Sequence, residues 1–152
     1  MLKCTFAGHR QVYLKDAEQR IEKVVAEFSE QHSDIYFYCG GMGEFDYLCS
    51  KAVKKVKILN PDKKIKLFLI APYMMQRINR EREDLRWIYD EIIIPDELSD
   101  CYYKKAITAR NRWMVDHCDF IITHVVRPYG GAWNTFRYAQ EKGLYVLNIK
   151  DD

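Results

Sequence analysis

The chain has 152 residues, of which 24 are basic and 22 acidic, and its formal net charge is +2. This length predicts a single domain with one core over residues 1–152. The small net charge offers no dense basic stripe, so we do not expect nucleic acid to be a partner.

Two further classes of protein are excluded by the pattern of residues. No charged leader precedes an apolar stretch, and the apolar runs are strand-sized, so the sequence predicts a cytoplasmic protein without a membrane span. The five cysteines and four histidines lack the spacing of metal ligands or of a disulfide framework. We therefore expect reduced thiols, no metal and no cofactor.

Apolar runs and helical periodicity alternate along the chain. In the first half they predict a strand at 2–7, a helix at 16–31, a strand at 34–39, a helix at 46–59 with Asp46 as its N-cap, and a strand at 64–71. In the second half they predict a helix at 74–89, a short strand at 91–95, a polar loop at 96–100, a helix at 102–117, a strand at 119–126, a helix at 136–142 and a strand at 144–149. This alternation predicts a Rossmann-like, doubly wound α/β fold, with a mainly parallel sheet and helices on both faces.

Glycine-rich turns follow several of the predicted strands. Because parallel strands end on one edge of the sheet, the turns at 8–10, 40–46 and 130–131 are expected to meet there and to form a ligand site. The segment 127–135 passes from a strand through Gly130 and Gly131 into a helix. Free backbone N–H groups and the positive end of the helix dipole would favour a phosphate at this point.

The other turns leave alternatives open. Arg10 can hold a phosphate or stay solvated, and His9 is either a turn residue or a ligand contact. The run Gly40-Gly41-Met42-Gly43 is a phosphate-cradling loop or a glycine-rich turn without a ligand.

Arg110 belongs to the more apolar side of its predicted helix, which is costly unless it meets an anion. That anion is either a ligand or a carboxylate of the chain, such as Asp116 or Glu44.

Together these stretches resemble the SLOG superfamily, the Rossmann-like fold shared by lonely-guy phosphoribohydrolases, the DNA-processing protein DprA and YpsA-like and YspA-like proteins. The resemblance rests on Gly8-His9-Arg10, on the glycine loop at 40–46 and on the segment 130–139, and it covers nearly the whole chain. Residues 110–114 also resemble the RKxxM segment of the lonely-guy enzymes, with Asn111 in the place of lysine.

The resemblance implies a bound nucleotide or nucleotide-derived ligand whose phosphate rests on Gly130, Gly131 and Thr135. The full set of expected ligand-binding residues is Gly8, His9, Arg10, Gly40, Gly41, Gly43, Asp46, Arg110, Gly130, Gly131, Asn134 and Thr135.

The sequence departs from the hydrolases of this superfamily at the residue that matters for cleavage. They carry PGGxGTxxE, whereas this chain has the longer turn GGAWNT, and Tyr138 stands three residues after Thr135. Hydrolysis of a glycosidic bond needs a carboxylate. The sequence therefore favours a sensor, carrier or sequestering module over an N-glycosidic hydrolase, in which Arg110 with Glu44 or Asp46 would be catalytic. Handling of DNA, as in DprA, is the third alternative.

Aromatic residues make up 14% of the chain. Such a chain is expected to expose part of them, and Trp87, Tyr89, Tyr102 and Tyr103 are candidates for a subunit contact. We therefore expect a homo-oligomer, with a dimer favoured.

Overall fold

The computed structural model describes residues 1–151, including all their side chains except those of Arg77 and Asn79. The strands and helices follow in the order β1 (Leu2–Gly8), α1 (Ala17–Glu30), β2 (Asp34–Cys39), α2 (Glu44–Leu59), β3 (Lys64–Ile70), α3 (Gln76–Arg80), α4 (Arg82–Ile88), β4 (Glu91–Ile93), α5 (Tyr103–Asp116), β5 (Phe120–His124), α6 (Gly131–Glu141) and β6 (Tyr145–Asn148). A 3-10 turn, Asp96–Leu98, lies in the predicted polar loop.

The six strands form one sheet in the order β4-β3-β2-β1-β5-β6. Every neighbouring pair is parallel. The predicted Rossmann-like, doubly wound fold is therefore confirmed. The central strands are rich in β-branched and aromatic residues and bury both faces, as parallel strands between two helical layers must.

The helices cover both faces of this sheet. On one face, α1, α2 and α4 pack against a large core that includes Phe37, Phe45 and Leu67. On the other face, α5 and α6 cover two smaller clusters, one around Val115 and Ala139 and the other around Met114. The central strands β1, β2, β3 and β5 supply side chains to both layers because successive residues point to opposite faces.

The strand order reverses at β1, which lies between β2 and β5. Gly8, the last residue of β1, is paired in register with His124, the last residue of β5. The loops that leave these two strands therefore begin side by side. In open parallel sheets, this switch point is where ligands bind.

The single helix predicted at 74–89 is wrong, since α3 and α4 replace it. The backbone of Glu81 leaves the helical region, with φ −109° and ψ 19°. The break lets Ile78 and Leu85, on either side of it, reach the same core cluster. The charged run at 80–84 gave no periodicity from which this break could be predicted.

Two helix starts also differ from the prediction. The last helix, α6, begins at Gly131 and not at 136, with Gly130 as its N-cap. The second helix, α2, begins at Glu44 and has Gly43 as its N-cap, so the prediction of Asp46 as the cap is wrong. Asp46 lies in the first turn, where its Oδ2 accepts a hydrogen bond from the Met42 amide at 3.0 Å. In both cases a glycine takes the cap position that polar side chains usually occupy.

Candidate functional site

A cleft of about 330 Å³ opens at the switch point, on the edge where the strands end. It brings together eight residues predicted to bind a ligand, namely Gly8, His9, Arg10, Asp46, Arg110, Gly130, Gly131 and Thr135. Its other walls are formed by residues that the prediction did not include, namely Phe6, Ala7, Met42, Ile107, Asn111, Met114, Arg127 and Ala132. Of the remaining predicted residues, Gly40, Gly41, Gly43, Glu44 and Asn134 do not line this cleft.

The N-terminus of α6 opens into the cleft. Gly130 caps this helix with φ 93° and ψ 179°, a conformation open essentially to glycine alone, and as a glycine it offers no side-chain cap to the first amides of the helix. The first amide to find a backbone partner there is that of Asn134, which donates to the Gly130 carbonyl. The amides before it carry the positive end of the helix dipole towards the cleft.

Thr135 stands one turn into α6 and is buried. Its hydroxyl donates to the Gly131 carbonyl at 3.0 Å, which ties the side chain to the first turn of the helix. The hydroxyl oxygen can still accept hydrogen bonds, but its one O–H donor is used by the Gly131 carbonyl. The predicted phosphate contact of Thr135 would require this hydroxyl to rotate away from Gly131.

Arg127 lies in the loop that follows β5 and lines the cleft. Its guanidinium lies 5.2 Å from the ring centroid of Tyr129 and 5.9 Å from that of Tyr13. Its Nε is buried and meets no hydrogen-bond acceptor among residues 1–151. A buried donor without an acceptor is costly. In the cleft, the positive charge of the Arg127 guanidinium is suited to an anion.

His9 is buried beside Arg127. Its Nε2 accepts a hydrogen bond from the Val126 amide at 3.0 Å. Burial, followed by Coulombic effects of Arg127 and His124, lowers the pKa of His9. The ring is thus suited to a neutral role that fixes the two loops against each other.

His124 ties the first loop to the end of β6. Its Nδ1 donates to the Ile149 carbonyl at 2.8 Å, so its Nε2 accepts from the Tyr13 amide at 3.1 Å. The residue is fully buried against Phe45 and His9. Sequence analysis treated this histidine only as part of a strand, because a single histidine in an apolar run gives no signal of its contacts.

Arg110, in α5, lines the cleft and is only 2% exposed. Its Nη1 donates to the carbonyls of Ile70, at 2.8 Å, and Gly40, at 3.0 Å, and its Nε donates to the Asn111 side chain at 2.9 Å. Within the described part of the chain it forms no ion pair with Asp116 or Glu44, the two carboxylates considered from the sequence. Neutral carbonyls therefore hold most of the guanidinium and leave its positive charge to act on the cleft.

Asp46 is the buried carboxylate of the cleft. Burial raises its pKa to about 6, against opposing effects of the Met42 amide and the charge of Arg110. A carboxyl group with this pKa can hold or release a proton near neutral pH.

Glu44 is directed elsewhere. Its Oε1 accepts the Val12 amide at 2.7 Å, which fastens the first loop to the start of α2.

The glycine loop at 40–43 contributes only Met42 to the cleft lining, and its three glycines pack against protein groups. A Cβ on Gly40 would lie 3.0 Å from Cζ of Arg110, and one on Gly41 would lie 2.5 Å from a methyl carbon of Leu69. A Cβ on Gly43 would lie 2.7 Å from Cα of Arg10. These close approaches explain the glycines without a ligand.

Among residues 1–151, no group of three His, Cys, Asp or Glu side chains is arranged to hold a metal ion. The five cysteines are all free thiols. In the same part of the chain, no helix is both long and apolar enough to cross a bilayer.

Replacing Asp46 by asparagine is expected to remove a pH dependence from the stability of the protein. The pKa of about 6 in the folded protein lies above 3.8, the ordinary value of an aspartate, so the native state binds the proton more tightly than the unfolded state. The resulting stability is present below about pH 4 and is lost as the pH rises towards 6, by up to about 3 kcal/mol. Urea unfolding between pH 4 and 7 should show this decline in the parent protein and not in Asp46→Asn. Parallel pH profiles for the two proteins would contradict the assignment.

No protein-family model and no curated protein matches this sequence. Among solved structures, the chain is similar to DNA processing protein A from Helicobacter pylori, described for its single-stranded DNA binding mode, with a TM-score of 0.68 and 15% identity over 99% of this chain and 66% of that chain. DprA from Streptococcus pneumoniae gives a TM-score of 0.68 and 17% identity over 99% and 51% of the two chains. The protein TM1055 gives 0.58 and 12% over 96% and 72%.

At these identities the likeness concerns the fold. The chain has the Rossmann-like fold of the DprA-like structures, so the fold expected from the SLOG resemblance is confirmed. It spans between about half and two thirds of the length of the two DNA processing proteins, with 51% and 66% of those chains covered.

Proposed function

We propose that residues 1–152 form one domain that binds a nucleotide or nucleotide-derived ligand, a nucleoside phosphate or an ADP-ribose-like molecule. The domain would act as a sensor, carrier or sequestering module. The observation that carries this proposal is the N-terminus of α6, which has no side-chain cap and shares one cleft with Arg10, Arg110 and Arg127.

A phosphate group matches the donors of the cleft. Its oxygens would accept from the first amides of α6 and from the guanidinium of Arg127, which lines the cleft. Three arginines face one carboxylate, Asp46, whose raised pKa reduces its opposing charge near neutral pH. Ile107 and Met114 add apolar surface for a sugar or base.

Calorimetric titration with nucleoside mono- and diphosphates and with ADP-ribose tests this proposal. Arg127→Ala is expected to weaken the binding of phosphorylated ligands by about 10- to 100-fold, since a hydrogen bond to a charged group contributes about 1.5–3 kcal/mol. Arg82→Ala, at the start of α4 and outside the cleft lining, is the matched control and should leave affinity unchanged. If no nucleotide binds, or if the two variants bind equally well, the proposal is wrong.

A second candidate is hydrolysis of the N-glycosidic bond of a nucleotide, which adds water across the bond and releases a free base and a sugar phosphate. Asp46 favours it, because a carboxyl group of raised pKa lines the cleft beside Arg110. Asp46 is better placed than Glu44, whose carboxylate holds the Val12 amide. Incubation with nucleoside monophosphates, followed by chromatography for free base, separates hydrolysis from binding alone.

Single-stranded DNA is the third ligand to test. The structural neighbour from Helicobacter pylori is described for its binding of single-stranded DNA. We therefore include nucleic acid among the candidate partners, although the sequence alone did not favour it. The net charge of +2 still offers few phosphate contacts along a strand. Titration of a labelled oligonucleotide at two salt concentrations would measure how many phosphates are engaged.

The expectation of a homo-oligomer remains part of this proposal. Trp87, Tyr102 and Tyr103 expose most of their surface, while Tyr89 is buried against Ser50 and cannot contribute to a contact. The cytoplasmic location also remains a prediction.

A further inference from the structure

A second groove lies between α5 and α6, directly beside the cleft. It has a volume of about 280 Å³ and shares Ile107, Asn111, Gly131 and Thr135 with the lining of the cleft. The two spaces therefore meet at the N-terminal turn of α6. A cleft of about 330 Å³ is at the small end of ligand pockets, and the added groove brings the site well into their usual range.

Two arginines line this groove without carboxylate partners. The guanidinium of Arg112 lies 4.9 Å from the ring centroid of Tyr138, and that of Arg137 lies 5.4 Å from that of Trp133. Neither forms an ion pair within residues 1–151. A guanidinium that rests against an aromatic ring keeps its N–H donors in its own plane, where they can meet an anion.

The surroundings preserve this positive charge. Glu141 is the acidic residue in the lining, against the two arginines. The hydroxyl of Tyr138 donates to Asp116 at 2.8 Å, which fixes the ring beneath Arg112. Asn134, expected from the sequence to contact the ligand, lies in this groove and adds an amide.

The groove is within reach of a ligand whose phosphate sits at the start of α6. Arg137 follows Gly131 by six residues, which is about 9 Å along a helix axis. Helical side chains point back towards the N-terminus, so the guanidinium of Arg137 lies closer to the start of α6 than its own backbone does. A group joined to the first phosphate through a sugar could therefore meet it.

We propose that the groove between α5 and α6 is an anion subsite that receives a second phosphate of the ligand bound in the cleft. The inference rests on the function proposed above. It narrows the ligand to a nucleotide whose sugar carries phosphates at two positions. A free nucleoside 3′,5′-bisphosphate and the 5′ end of a nucleic acid strand both have this chemistry.

Calorimetry with three adenosine ligands tests the subsite, namely the 5′-monophosphate, the 3′,5′-bisphosphate and a 5′-phosphorylated tetranucleotide. The bisphosphate is expected to bind at least about 10-fold more tightly than the monophosphate, since it gains charge-assisted hydrogen bonds. Arg112→Ala and Arg137→Ala should remove this gain and leave the affinity for the monophosphate unchanged. Lys54→Ala is the control, because Lys54 also lies over an aromatic ring, that of Trp87, but outside the groove, and it should change neither affinity.

Equal affinity for the mono- and bisphosphate would overturn the subsite and leave the proposed function standing. Variants of Arg112 and Arg137 that weaken both ligands to the same extent would overturn it as well. If no nucleotide binds, the proposed function fails and the subsite with it. If the tetranucleotide binds more tightly than the bisphosphate, the subsite stands and its ligand is the 5′ end of a strand. If it binds more weakly, the subsite stands and its ligand is a free nucleotide.

Discussion

Replacing Gly131 by aspartate is expected to abolish nucleotide binding while the fold stays intact. Gly131 is the first residue of α6, and a Cβ built on it would meet no heavy atom within 4 Å. Its φ is not in the left-handed region, so a larger residue fits its backbone. A carboxylate there would occupy the place proposed for the phosphate and repel it. Like charges in close contact cost several kcal/mol, so affinity should fall by at least about 100-fold.

The stability of Gly131→Asp should move in the opposite direction. An acidic residue at the start of a helix stabilises it by about 0.3–1 kcal/mol, and removing a glycine from a helix adds about 0.5–1 kcal/mol. Gly131→Asn is the matched control, because it has nearly the same shape without the charge, and it should lose far less affinity. Thermal unfolding and calorimetry on both variants check the expectation. Equal losses for Asp and Asn would show that space, and not charge, decides binding at this position.

Most of the fold could be predicted from the sequence because it depends on alternating apolar patterns that are local. Each predicted strand has a counterpart within a few residues, and the parallel order follows from helices between them. The break at Glu81 could not be predicted, since it depends on how Ile78 and Leu85 reach one core from two short helices. The chain between them is a charged run without a periodic signal.

The site was predictable in position but not in the roles of its residues. Gly8 ends a strand, Gly130 follows one, and Arg110 lies on the more apolar side of its helix. The topology of the sheet brings all three to one cleft. The partners of Arg110 are the backbone carbonyls of Gly40 and Ile70, which no side-chain pattern reveals. Arg127 is absent from the predicted ligand contacts, since an arginine that directly precedes a proline in a turn gives no sequence signal of its packing. Its buried Nε becomes evident only from the packing around it.

The glycines of the site divide into two kinds by what surrounds them. Sequence analysis gave Gly43 and Gly130 the same role, as parts of phosphate-binding loops. Their backbones are nearly identical, with φ 90° and ψ 174° for Gly43 and φ 93° and ψ 179° for Gly130, and both cap a helix. A Cβ on Gly43 would lie 2.7 Å from Cα of Arg10, whereas one on Gly130 would meet nothing within 4 Å. Substitutions at both positions therefore share the same backbone strain, and only the one at Gly43 adds a steric conflict.

Alanine at either position is expected to destabilise the protein, and Gly43→Ala should do so by clearly more. Both variants force a side chain into a backbone region that costs about 1–3 kcal/mol. Gly43→Ala also presses on the backbone of Arg10, and overpacking of this kind costs a further 1–3 kcal/mol, roughly. The first loop cannot easily retreat, because the Glu44 amide donates to the Arg10 carbonyl at 2.8 Å and the Val12 amide donates to Glu44.

Urea unfolding of the two alanine variants and the parent protein measures the difference. We expect Gly130→Ala to lose about 1–3 kcal/mol and Gly43→Ala to lose about 2 kcal/mol more than that, the second figure being the middle of the overpacking range. Equal losses would mean that the first loop moves aside at little cost. In that case Arg10 would be free to shift, and its place in the cleft would depend on the ligand and not on the fold. A larger loss for Gly43→Ala makes the contact between this glycine and Arg10 a structural element that positions the first loop before any ligand binds.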